Sequence, residues 1–387
     1  MRIAMFGTRG VPARYGGFET CVEEVGKRLV ARGHEVTVYC RDTDRAQTGK
    51  SKPRPKQYLG MHLVHLPALP KKITETFSHM GLSVAHALPN PPDMAFVFNA
   101  ANSPWLPFLR ARKIPVATHV DGLEWKRAKW GSVGRYYYRS AEALAVRWSD
   151  ALIADARGIQ DYYLDRFSMP TEYIPYGAPI LHDVGTDHLD QLGVKPQRYH
   201  FVIARFEPEN HVDLIVRGYL RSSCKYPLII IGSAPYADQY TARIERLAGK
   251  NPNIYLLGPV WDQLRIDQLY AHALTYVHGH SVGGTNPALL RAMGAGAATL
   301  AFDVNFNREV LGEYGQYFAD PTALAELLEK AEALPEETVS RGRAQLASLD
   351  RYNWDVVAQG YEDLAARLVY ERGLPRTRRT PGGDRLS

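Results

Sequence analysis

The sequence predicts an α/β protein built from two doubly wound, parallel-sheet domains that face each other across a cleft. Three observations predict it. At 387 residues the chain exceeds the usual size of a single hydrophobic core. Short apolar runs alternate with helical stretches along its length, the pattern of buried parallel strands joined by crossover helices. That pattern restarts after a polar stretch over 182–197.

In the first half, Arg2–Phe6 reads as a strand and Phe18–Arg32 as a helix, with Val22, Val25 and Leu29 at helical spacing. Gly33 ends the helix and Glu35–Cys40 forms the second strand. Further strands are expected at His62–Leu66, Met94–Asn99, Val116–His119 and Ala151–Ala154. In the second half they are expected at His200–Ile203, Pro227–Ile231, Ile254–Leu257, Leu274–His278 and Ala298–Phe302, with helices over Val212–Leu220, Ala237–Ala248 and Pro287–Met293. Asn353–Glu371 reads as an amphipathic helix with Val357, Tyr361, Leu364 and Leu368 on one side. The domain boundaries that follow are 1–185, 186–350, a helical segment 351–373, and a tail 374–387 whose Arg, Pro and Gly content predicts disorder.

With 45% hydrophobic and 23% charged residues, the composition is that of an ordinary globular protein. No segment reaches the roughly 18 apolar residues of a membrane span, and the apolar run at Met1 is too short for a secretory signal. Cys21, Cys40 and Cys224 have no metal-ligand or redox spacing along the chain and suit a reducing, cytoplasmic location. The net charge of +6 favours anionic ligands or lipid. Lys71, Lys72, the Trp105–Lys113 segment and Lys126–Arg139 mix bases with Trp and Tyr, a combination suited to peripheral contact with an anionic membrane face. No nucleic-acid partner is expected.

Ligands in doubly wound sheets bind beyond the carboxyl ends of the strands, and four strand-end clusters stand there. The first, Gly7–Thr20, carries Gly16 and Gly17 just before a helix, where free N–H groups and the positive dipole end can hold an anion. It lacks the G-x-G-x-x-G fingerprint, and Tyr39-Cys40-Arg41 supplies no acid for an adenosine ribose, which disfavours a dinucleotide enzyme. The second, His119–Trp130, combines acids, bases and two tryptophans. The third, Arg205–Asn210, offers an arginine for a diphosphate. In the fourth, His278–Met293, Asn286 is a good N-cap, Pro287 a good first helical residue, and Gly283 and Gly284 let a phosphate approach the backbone. His278 and His280 lack an evident third ligand for a metal. Asp42-Thr43-Asp44 matches a D-x-D triplet but reads as a polar loop.

At these clusters the chain resembles the retaining glycosyltransferases of family 4, of GT-B fold, and within them the bacterial branch that includes rhamnosyltransferases of cell-surface polysaccharide synthesis. The resemblance runs over Met1–Leu368 and is most specific at Gly7–Thr20, Asp121–Trp130 and Ser281–Gly296. It implies two Rossmann-like domains, the first for the acceptor and the second for the nucleotide sugar, with the last helix crossing back to brace the first. It places Gly16 and Gly17 beside the donor diphosphate, Asp121 as the polar catalytic contact at the reacting sugar, and Arg205 on the diphosphate. Asn210 stands where many relatives have lysine. Gly283 and Arg291 stand at the family's paired glutamates, and neither is acidic here. The implied donor site is completed by Gly284, Thr285, Asn286 and Glu309, with Arg291 turned toward phosphate or paired with an acid such as Glu309. Arg14, Tyr15, Glu124, Trp125, Lys126 and Arg127 fall on the implied acceptor side.

No bound metal or cofactor is expected. The implied donor is dTDP- or UDP-linked, with dTDP-L-rhamnose first, and the implied acceptor a glycan or polyprenyl-diphosphate-linked saccharide. Two other readings fit the same loops: a nucleotide-sugar epimerase or hydrolase, and a non-catalytic sugar-nucleotide-binding protein, the latter consistent with the absent glutamates.

Overall fold

The computed structural model describes residues 1–13, 16–42, 54–69, 72–120, 122–126, 130–233, 238–249 and 251–372. Two sheets organise them. The first contains β1 (Arg2–Phe6), β2 (Glu35–Asp42), β3 (Gln57–Tyr58), β4 (Met61–Pro67), β5 (Met94–Phe98), β6 (Val116–Val120), β7 (Ala151–Ala154) and β8 (Glu172–Tyr173), in the order β3-β4-β2-β1-β5-β6-β7-β8. All its pairings are parallel except β3 with β4. The second contains β9 (His200–Ile203), β10 (Leu228–Ile231), β11 (Ile254–Gly258), β12 (Thr275–His278), β13 (Ala298–Phe302) and β14 (Gln316–Phe318), in the all-parallel order β11-β10-β9-β12-β13-β14.

The strands are apolar on both faces because helices cover both. Every residue of β5, β6, β7 and β10 is buried, which is why these segments read as continuous rather than alternating hydrophobic runs. The strand order reverses between β1 and β5 in the first sheet and between β9 and β12 in the second. The crevice above such a reversal is where an open α/β sheet binds its ligand. The clusters after β1, β9 and β12 therefore leave their sheets at these two reversals.

The helix Trp354–Arg372 crosses back onto the N-terminal domain. Its buried stripe is Trp354, Val357, Ala358, Tyr361, Leu364, Ala365 and Leu368, which packs into one core with Val22, Val25 and Leu29 of the helix Gly17–Ala31. Tyr361 reaches His119 Nδ1 at 2.8 Å and Cys21 Sγ at 3.6 Å. Around this core, Arg28 pairs with Asp355 at 2.7 Å and Arg32 with Glu362 at 2.8 Å.

Two expectations are corrected here. β2 runs two residues further than expected and ends on Asp42, so an acid does close that strand. Asp42 is buried, and Arg54 lies 3.3 Å from its carboxylate. It is a structural strand-end acid rather than part of a polar loop; Thr43 and Asp44 lie outside the described residues.

Candidate functional site

The loop from Gly279 to Pro287 is the hub of the site, because each of the other three clusters is in contact with it. Cluster three holds it from below. Asn210 Oδ1 meets His280 Nδ1 at 2.7 Å, while Asn210 Nδ2 donates to the Arg205 carbonyl at 2.7 Å. Ser281 donates its N–H at 2.9 Å and its hydroxyl at 3.0 Å to the carbonyl of Glu209. Asn210 is thus buried and committed to joining two loops. The Arg205 guanidinium is about one-third exposed and stands 3.6 Å from the buried Glu207 carboxylate.

Cluster two closes on the hub from the N-terminal domain. A Cβ at Gly122 would lie 2.3 Å from the Cα of Gly283, a backbone-to-backbone approach that only glycine permits. Gly283 itself has φ 132°, and Thr285 donates to the Asp155 carbonyl at 2.6 Å. Cluster one meets it as well. A Cβ at Gly17 would come 3.0 Å from Pro287 Cγ and 3.6 Å from the Tyr176 hydroxyl.

The first residues of the helices Gly17–Ala31 and Pro287–Gly294 therefore touch. Two helix N-termini converging on one point concentrate positive potential there, and an anion relieves it. Asn286 caps the second helix, its side chain accepting from the N–H of Ala288 at 2.9 Å. Among the described residues, the N–H groups of Gly283, Gly284, Thr285 and Asn286 have no hydrogen-bond partner. Four unpartnered donors in succession suit phosphate oxygens.

Glu309 and Arg291, expected to be able to pair, do not meet. Arg291 Nη1 lies 2.5 Å from Asp267 on the helix Gln263–Ala271. Glu309 instead accepts from the N–H of Arg157 at 2.9 and 3.1 Å and from the Tyr173 hydroxyl at 3.2 Å, joining the two domains. The physical reason is position: Asp267 faces Arg291 from the neighbouring helix of the same domain, whereas the N-terminus of the helix Arg157–Phe167 faces Glu309.

Of the residues on the expected acceptor side, Arg14, Tyr15 and Arg127 lie outside the described residues, as does Asp121. Glu124 is buried and accepts from the Trp130 indole at 3.2 Å. Trp125 packs beside Trp130 and Tyr138 with the Arg139 guanidinium 4.2 Å from its ring centroid. Lys126 is exposed. Cluster two is therefore held together by its own tryptophans.

Asp155 lies outside the four sequence clusters, and the deep burial of His119 and His278 within them is not visible in the sequence. Asp155, directly after β7, is fully buried against Gly284, and burial with nearby Glu309 pushes its carboxyl up to about 8. His119 is buried between Phe18, Phe98 and Tyr176, and burial lowers it to about 3, so it stays neutral. His278 is held neutral in the same way, also at about 3. No local pattern marks them, because each owes its environment to distant segments.

Comparison with known proteins bears on the family and the fold. Residues 16–177 match the model of the glycosyl transferase 4-like domain, and residues 186–345 that of the glycosyl transferases group 1. The O-antigen chain mannosyltransferase B of Escherichia coli is 25% identical over 167 residues, 41% of this chain and 43% of that protein, so the likeness spans less than half of the relative's length. Among solved structures, sucrose-phosphate synthase from Thermosynechococcus elongatus superposes with a TM-score of 0.79 at 18% identity, covering 96% of this chain and 99% of that one. Anabaena Alr3699/HepE in complex with UDP-glucose superposes with a TM-score of 0.74 at 16% identity, covering 95% and 100%. Both share the two-domain fold. With one glycosyltransferase model matched on each side of the cleft, the chain belongs to the GT-B glycosyltransferases.

Proposed function

We propose that this protein transfers a hexosyl unit from a nucleoside diphosphate sugar to a glycan or lipid-linked saccharide acceptor. The observation that carries the proposal is the meeting of two helix N-termini at Gly17 and Pro287, beside the four open N–H groups from Gly283 to Asn286. A diphosphate seated there is met by backbone donors and by Arg205, fixed charges that stabilise a leaving nucleotide without reorganisation. No metal is required for that role. Asp121 is the polar contact to the reacting sugar in this reading.

The transfer proceeds with retention, as the family resemblance implies. The acceptor hydroxyl attacks the anomeric carbon on the face the diphosphate leaves, and the departing phosphate oxygen takes the hydroxyl proton. The favoured donor is dTDP-L-rhamnose. Where a glutamate would accept from ribose hydroxyls, Arg291 has only donors and is already engaged by Asp267. A deoxyribose has one hydroxyl fewer to satisfy. A role in surface polysaccharide assembly is supported by the likeness to an O-antigen chain mannosyltransferase.

The acceptor is reached at a membrane face. Phe108, Val133 and Tyr136 are exposed apolar side chains, and Arg112, Lys113 and Arg135 stand exposed in the same segments. Among the described residues no helix is long and apolar enough to cross a membrane, so the contact is interfacial. Co-sedimentation with anionic vesicles that falls steeply with salt supports it; equal binding to neutral vesicles rejects it.

The decisive test of the reaction is product analysis with dTDP-L-rhamnose and a lipid-linked saccharide. Acceptor-dependent transfer, lost in Arg205→Ala, supports the proposal. Sugar release or epimerisation without acceptor makes the protein a hydrolase or epimerase. Donor binding with no turnover of any hexosyl donor makes it a non-catalytic binder.

A further inference from the structure

Far from the cleft, His200, Cys224 and Glu332 come together in space although they are spread over 133 residues of sequence. One ligand atom of each lies within 4.8 Å of the others. His200 opens β9, residues 222–226 form the turn before β10, and Glu332 stands in the last turn of the helix Pro321–Ala333. All three lie at the amino ends of parallel strands, the edge of the sheet opposite the loops of the candidate donor site. We propose that His200, Cys224 and Glu332 form a binding site for a borderline divalent transition metal such as Zn²⁺, with water in the fourth position.

The donor set fits that class of ion. Imidazole nitrogen, thiolate and carboxylate together match zinc and exclude the hard, all-oxygen preference of Mg²⁺ and Ca²⁺. His200 Nε2 and Glu332 Oε1 are 3.2 Å apart, close to the edge of about 3.3 Å that two ligands near 2.0–2.1 Å from a tetrahedral ion span. The surrounding bonds already orient the ligands. His200 Nδ1 lies 2.8 Å from the buried Thr275 hydroxyl, which leaves Nε2 as the coordinating nitrogen. The Glu332 carboxylate is fixed by the N–H groups of Lys225, at 2.9 and 3.1 Å, and Tyr226, at 2.9 Å. Such outer contacts are what hold metal-bound carboxylates and imidazoles in place.

Without a metal, burial and the neighbouring Glu332 push the Cys224 thiol up to about 12, so it is protonated. Binding displaces the thiol proton, and coordination through Nε2 directs Nδ1 to Thr275. The half-buried position of Cys224 gives the ion a path in. Bound there, the metal would tie the helix Pro321–Ala333 to the 222–226 turn and to the start of β9. It would stabilise the C-terminal domain without entering the transfer reaction.

The test is titration of the untagged full chain with Co²⁺, then displacement by Zn²⁺. The expected result is a thiolate-to-cobalt charge-transfer band that saturates at one equivalent, with a rise in melting temperature on Zn²⁺ addition. Cys224→Ser should abolish the band. Glu332→Gln keeps an oxygen for the Lys225 and Tyr226 N–H groups and so preserves the fold; it should weaken Zn²⁺ binding by roughly tenfold or more. Nucleotide binding should be unchanged in both. Absence of a saturable band, its persistence in Cys224→Ser, or undiminished affinity in Glu332→Gln would overturn the assignment.

Discussion

Replacing Asp155 by asparagine should stabilise the protein, and more so as pH rises. Asp155 follows β7 at the seam between the domains, fully buried, with Oδ1 lacking a hydrogen-bond partner and its carbonyl accepting from Thr285. Burial, reinforced by Glu309, raises its carboxyl from 3.8 to about 8. Between those values the folded protein keeps a proton that the unfolded chain has released. Stability therefore falls with rising pH across this window, by about 1.4 kcal/mol per unit. From about pH 5 to pH 7 the loss is roughly 2–3 kcal/mol by the same relation. Asparagine does not titrate and is free of that loss. Denaturant unfolding of both proteins should show their stability difference widening by that amount, then levelling off above about pH 8. A difference independent of pH would show that Asp155 does not hold its proton in the fold.

Other perturbations address the remaining contacts. Gly122→Ala places a methyl 2.3 Å from the Gly283 backbone, a clash no side-chain rotation relieves; separation of the domains should cost on the order of 1–3 kcal/mol, seen as a lower melting temperature and weaker donor binding. His119 is held at about 3 by burial, so the unfolded chain takes up a proton below about 6.5 that the fold refuses, and stability falls as pH drops. His119→Gln should flatten this acid limb by about 1.4 kcal/mol per unit, and an unchanged limb would contradict it. Arg291→Glu alone sets a second carboxylate beside Asp267. In an Asp267→Asn background the same change should raise affinity for a UDP-sugar more than for its dTDP counterpart, measured as two dissociation constants for each protein; equal changes would remove Arg291 from ribose recognition.

The strands were legible because a buried parallel strand is a continuous apolar run, and Arg2–Phe6, Ala151–Ala154, His200–Ile203 and Ala298–Phe302 have the expected bounds. The strands left unassigned, Gln57–Tyr58, Glu172–Tyr173 and Gln316–Phe318, lie at sheet edges and are too short for any period to show. The four loop clusters were visible because helix-start chemistry is local: Asn286 and Pro287 announce a cap by type and order alone. Their mutual contacts were not, since nothing in the sequence sets Gly122 against Gly283 or Gly17 against Pro287. Pairing choices such as Arg291 with Asp267 were equally hidden, being fixed by the packing of one helix on another. The same is true of His200, Cys224 and Glu332, whose sequence spacing resembles no ligand motif.

The central claim is that the loop from Gly283 to Pro287 seats a diphosphate with the help of Arg205. Calorimetric titration with dTDP and UDP, on the parent protein and on Arg205→Ala, tests it most directly. One pyrimidine nucleoside diphosphate should bind at one equivalent, and the substitution should weaken it by about 2–3 kcal/mol, the loss of a charge-assisted hydrogen bond, with the melting temperature of the free protein unchanged. Binding of neither nucleotide, or equal affinity in the two proteins, would contradict the account.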